Sequence, residues 1–192
     1  MKKKLLYIMA VVICLSIMTN GTLAYTTVSD TARNAITSYG VSVKIVEQKQ
    51  LDNGQLKPYP EEAIMVMPST TVSKIVSVQN NEAPAWVRMR YTMTVTDAAG
   101  NPRNLSQEEL EQVILITNNS KDWVEEDGWF YYNTVLDAGE LTTPLFEEVT
   151  FSGPNMDNSY QLNKLKINIE AQGVQRANNG ATLEEVLGWP EG

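Results

Sequence analysis

Polar and apolar residues alternate along much of this chain with a period of two. The clearest stretch is 86–96, where Val87, Met89, Tyr91, Met93 and Val95 fall on one face and Arg88, Arg90, Thr92, Thr94 and Thr96 on the other. Successive side chains of a strand point to opposite faces, so this reads as an antiparallel strand with one dry and one wet face. Residues 41–45 and 165–171 alternate in the same way, and 72–78, rich in β-branched residues, reads as a more buried strand. Asn53-Gly54 and Asp127-Gly128 are two-residue hairpin signals, the second joining Trp123-Val124 to the aromatic run 129–132. Residues 97–102 and 153–158 read as looser loops. Helix signals are few. Ser106 with Glu109 ahead of Leu110 and Val113 forms a capping box, and Thr182 with Glu185 repeats it ahead of Val186, with Gly188 to end the turn. The pattern predicts an all-β antiparallel sandwich or barrel with one or two short helices.

The first residues obey a different rule. Lys2, Lys3 and Lys4 precede an uncharged run over 5–18, which is short for a mature membrane span. Thr22-Leu23-Ala24 then places small residues for a cut between Ala24 and Tyr25. The expected organisation is a signal peptide over 1–24, an extended arm over 25–40 and one β-sandwich domain over 41–192. A retained N-terminal anchor is the competing reading. Cys14 lies within the apolar run behind Ile13, where a lipidated cysteine would need a small residue, which argues against lipid attachment.

Composition then removes most chemistry. The chain of 192 residues has no histidine, and Cys14 is its only cysteine. Ser/His/Asp and Cys/His nucleophiles and His- or Cys-built zinc sites are therefore excluded. Export would also remove Cys14 and the three N-terminal lysines, taking the formal charge from −8 to −11. An exported domain without disulfides suits a Gram-positive surface better than a eukaryotic secreted one. Its negative charge makes nucleic acid a poor partner, and membrane contact is expected only through the uncleaved signal segment.

The remaining acid/base candidates are carboxylate runs: Glu61-Glu62, Glu108-Glu109 with Glu111, Glu125-Glu126-Asp127 and Glu147-Glu148. Such runs usually form solvated faces or turns, and no opposed pair is marked, so no catalytic residue is assigned. Residues 122–127 and 52–54 do not fit a twelve-residue calcium loop, so neither a metal nor a cofactor is expected. Trp86, Trp123, Trp129 and Trp189 could form a carbohydrate platform, but aromatic residues in strands more often fill a core.

Several segments together carry a resemblance. Gly21-Thr22-Leu23-Ala24-Tyr25 is followed by Asp30, Asn34-Ala35-Ile36-Thr37, Gly40 and an alternating strand to Glu47. Later come Ala85-Trp86-Val87-Arg88, the aromatic run 129–132, residues 145–153, and 171–181 with a closing Gly188-Trp189-Pro190. This set resembles the TasA/camelysin-like family of exported proteins, processed by an alternative signal peptidase of the SipW type. Thr26 departs from the family's usual Phe after the first mature residue. The metallopeptidase label attached to some camelysin-like relatives transfers to no residue here, because the chain has no histidine.

The resemblance implies a jelly-roll-like β-sandwich, secreted or held at a Gram-positive cell surface, with fibre-forming relatives in biofilm matrix. The implied partners are copies of the chain or related matrix subunits, and the signal peptidase during export. The implied assembly device is the arm over 25–38, with Tyr25, Val28, Ala32 and Ile36 as anchors, adding as a strand to the sheet of a neighbour. Two rivals remain open: a non-polymerising surface module that binds a glycan or a protein, and a hydrolase working through carboxylates.

Overall fold

The structure is a computed structural model and describes residues 35–36 and 40–190. The signal segment, the cut between Ala24 and Tyr25, and arm residues Tyr25, Val28 and Ala32 lie outside the described residues. In chain order the described elements are β1 (Ala35–Ile36), β2 (Val43–Gln50), β3 (Leu56–Pro58), β4 (Ile64–Met65), β5 (Thr71–Asn80), β6 (Ala85–Thr96), α1 (Gln107–Val113), β7 (Ile114–Leu115), β8 (Trp123–Glu126), β9 (Trp129–Tyr132), β10 (Phe146–Phe151) and β11 (Lys164–Gln175). Two sheets form a sandwich. One runs β1-β11-β6-β9-β8, with β4 also on β11; the other runs β3-β2-β5-β10-β7. Every pairing is antiparallel except β1 on β11, which is parallel.

Alternation explains the layers. Val87, Met89 and Val95 of β6 and Leu165, Ile167 and Ile169 of β11 are buried, as are Val43, Ile45, Val76, Val78, Val149 and Phe151 of the other sheet, and all belong to one core. Fully burying side chains of this size stabilises the fold by about 1.5–3 kcal/mol each relative to leaving them exposed. Where β11 passes β2 the sheets come unusually close: a Cβ on Gly173 would meet Val41 Cγ1 and Val43 Cγ1, each at 2.8 Å. By the same alternation Lys74 lies on the core side of β5, between Val72 and Val76. Its Nζ is 2.6 Å from Glu47 Oε1 and 3.9 Å from the centre of the Tyr59 ring, so the buried charge is paired. Burial, and then the Glu47 carboxylate, raise the pKa of the Tyr59 hydroxyl.

Several local expectations meet their structures directly. Asp127 and Gly128 both have positive φ, 50° and 76°, as a type I′ turn requires, and Glu126 pairs with Trp129 across it. Ser106 caps α1 with both halves of the box formed: its hydroxyl accepts from Glu109 N, and the Glu109 carboxylate accepts from Ser106 N.

Two details differ. Asn53-Gly54 lies in a five-residue connection, because the ladder closes at Gln50 opposite Leu56 and only Gly54 takes positive φ there. Thr182 makes no side-chain cap, and Leu183–Glu185 form a single 3-10 turn; the Glu185 carboxylate instead accepts from Ala181 N at 2.9 Å. Gly180 packs against Glu185 so closely that a Cβ there would clash with it.

Candidate functional site

The edge of β11 is the feature on which the arm's first described residues act. On one side β11 is paired along its whole length by β6, from Lys164 opposite Thr96 to Gln175 opposite Ala85. On the other side β4 covers only Lys164 and Leu165, and β1 covers only Ala171 and Gln172. Among the described residues no strand pairs with 166–170 on that side. That leaves 166–170, about 17 Å of strand at 3.3–3.4 Å per residue, and 173–175 without a partner on this side among the described residues. Buried or half-buried backbone groups need partners, so a notch of this kind favours an added strand.

Of the anchors expected on the arm, Ile36 lies in β1, with its backbone in register with Gln172, and Ala35 is in register with Ala171. Tyr25, Val28 and Ala32, together with Ala24 of the cut, lie outside the described residues. Gly40, just after the arm's described residues, has φ of 82°, a conformation that glycine adopts without the Cβ penalty.

A second cluster sits on the outer face of the same sheet and corrects the expectation of a wet face. Arg88 is buried there. Its Nε and Nη2 donate to Gln172 Oε1 at 2.9 and 2.7 Å, Nη1 to the Tyr131 hydroxyl at 3.0 Å, and Nη2 also to the Pro190 carbonyl at 3.0 Å. The guanidinium lies 4.1 Å from the centre of the Trp129 ring and 4.7 Å from that of Trp189. Arg90 pairs with Glu170 at 2.7 Å and also covers Trp129. The C-terminal segment thus folds across this face. Trp86, Val174 and Val186 form a small core beneath it, separate from the sandwich interior. Trp86 Nε1 is buried there without a hydrogen-bond partner among the described residues. The sequence alternation located Arg88 on the correct face but carried no signal that residues about a hundred positions later would cover it.

The aromatic residues and carboxylates are engaged in structure. Trp86, Trp123 and Trp129 are buried, only Trp123 of them in the main core, so they present no exposed platform. Asp97 is held below its ordinary pKa by bonds from Asn101, and Asp122 by the Thr143 hydroxyl and then the Asn119 amide. Ser159 does the same for Asp157. These groups act as loop clasps. Among the described residues no group of three or more carboxylates or other ligating side chains could hold a metal ion, and no helix is long and apolar enough to cross a bilayer.

Comparison with protein-family models and with curated proteins returns no match. The fold and its edges are therefore the ground for a functional reading.

Proposed function

We propose that this chain is an exported structural subunit that assembles with its own copies by strand addition. The observation that carries the reading is the parallel pairing of Ala35 with Ala171 beside 166–170 of β11, a stretch without a partner on that side among the described residues. A strand continued upstream from Ala35 in that register would set Asn34 opposite Glu170 and Asp30 opposite Lys166, filling the five open positions and stopping where β4 begins. Asp30 beside Lys166 would be a favourable cross-strand charge pair. In a polymer the strand filling the notch comes from the next copy. Exchanging an identical element between copies conserves its hydrogen bonds, and Gly40 supplies a pivot just after it. Such a contact is head-to-tail and produces an open filament unless the rotation between copies closes a ring.

The finer parts of the reading rest on the family resemblance: jelly-roll connectivity, a signal helix removed by a SipW-type peptidase, and residence in a Gram-positive matrix or at the cell surface. Cleavage before Tyr25 would free the arm to dock, so export and assembly would be coupled.

The test uses the chain from Tyr25 onward and the same chain lacking 25–34. The first should form filaments under electron microscopy. The second should remain a folded monomer, and Ala32→Pro, which removes a ladder donor, should lower assembly at least tenfold. A chain from Tyr25 that stays monomeric at every concentration, at neutral and acid pH and with added seed overturns the proposal.

A further inference from the structure

One cross-strand row of the second sheet holds three lysines. Lys57 of β3 lies directly opposite Lys49 of β2, and the next step of the β2–β5 register sets Lys74 of β5 on the other side of Lys49. Directly opposite residues share a face, with Cβ atoms about 4.5–5.5 Å apart, so three positive side chains stand side by side. Only Lys74 is matched there. It is buried against Glu47, the neighbouring acid on that face of β2, and lies over the Tyr59 ring. Among the described residues neither the half-buried Lys49 nor the exposed Lys57 has an ion-pair partner.

The row is costly as it stands, because like charges directly opposite one another destabilise a sheet. Opposite charge is not scarce in this chain, which has 23 acidic residues against 15 basic ones. A lysine on an edge strand deters pairing with other chains, which accounts for Lys57. It does not account for Lys49, whose strand is flanked by β3 and β5. Lys49 also lines a recess of about 610 Å³ together with Asp52, Thr71 and Ser73. Asp52 is the one carboxylate on that wall, and those of Glu61 and Glu62 are exposed on the segment that follows Tyr59.

We infer that Lys49 and Lys57 together bind a doubly charged oxyanion, of which a phosphate group is the type. A dianion answers both ammoniums at once, whereas a monovalent ion leaves one of them uncompensated. Different oxygens of one phosphate reach the two stems through charge-assisted bonds of about 2.7–2.9 Å, and lysine meets phosphate as a compact point charge. Glu47 stays with Lys74, so the anion displaces no existing pair. The site uses neither the arm nor β11, and it stands or falls apart from the strand addition proposed above.

The experiment titrates phosphate into the chain from Tyr25 onward at constant ionic strength, with chloride as the balancing ion, and reads the heat of binding and the urea midpoint. Phosphate should bind saturably, one anion per chain, and raise the midpoint; chloride should do neither. Lys49→Gln and Lys57→Gln should each weaken phosphate binding at least tenfold. Lys44→Gln removes the same charge from the opposite face of β2 and should leave binding within twofold of the parent. In chloride alone Lys57→Gln should have a midpoint no lower than the parent's, because it relieves repulsion. A lower one means that the lysine pair supports the fold by itself and overturns the inference. A phosphate effect that rises without saturating, or that all three variants share, also overturns it, since excluded salts strengthen burial in any protein. Tripolyphosphate binding at least tenfold tighter than phosphate assigns the site to a phosphate chain, and equal binding assigns it to the free ion.

Discussion

Arg88 carries more of the structure than a residue on the polar side of an alternating strand would be expected to. Its guanidinium donates four hydrogen bonds, two to Gln172 and one each to Tyr131 and the Pro190 carbonyl, and its planar faces meet Trp129 and Trp189. Lysine keeps the charge but cannot supply the forked donors or the flat stacking surface. Arg88→Lys should therefore destabilise the fold by about 2–3 kcal/mol, the scale of losing charged hydrogen bonds in a buried setting. The loss should appear first as release of the C-terminal segment, read as a red shift of Trp189 emission below the main urea transition. A single transition with unshifted midpoint would show that Arg88 is dispensable. The alternation of residues 86–96 made the two faces of β6 legible. The cover over Arg88 was not legible, because a contact across about a hundred residues leaves no local period. The partly buried Trp189 near the end of the chain was its one sequence trace.

At the scale of elements, the long alternating strands, the Asp127-Gly128 turn and the Ser106–Glu109 box were all readable, since each depends on residues within a few positions of one another. The short strands β1, β4 and β7 were not. Two residues of ladder carry no period, and their partners in β11 and β10 decide them. The notch in β11 was therefore invisible in sequence, although the arm that borders it had been singled out. Gly173 belongs with these non-local features: within a strand it weakens local propensity, yet the close approach of Val41 and Val43 requires it. Gly173→Ala should cost about 1–3 kcal/mol through overpacking, measured as a lower urea midpoint with unchanged slope. Because β2 and β11 separate under that strain, pairing at the neighbouring Ala171–Gln172 should loosen too, seen as faster amide exchange there. An alanine variant as stable as the parent would mean that the sheets part freely.

For the whole molecule, charge and edges act together. The full chain has a formal charge of −8, and the chain from Tyr25 onward, without Lys2, Lys3 and Lys4, one of −11, so copies repel one another at neutral pH. Strand addition at the β11 edge rests on backbone hydrogen bonds and works against that repulsion. Salt screens the repulsion, so it should lower the concentration at which arm-dependent filaments appear. Acidification lowers the net negative charge as well, provided the fold survives. Asp97, Asp122 and Asp157 have folded pKa values below the ordinary 3.8. A depressed carboxylate contributes stability that is present above its unfolded pKa and is lost as pH falls through the folded one. For these loop clasps the loss falls below about pH 4. Filament formation should therefore strengthen between pH 7 and about pH 5 while far-UV circular dichroism stays constant, with unfolding only at lower pH. If the dichroism instead collapses before filaments increase, acid assembly proceeds from an unfolded chain and the intact notch has no part in it.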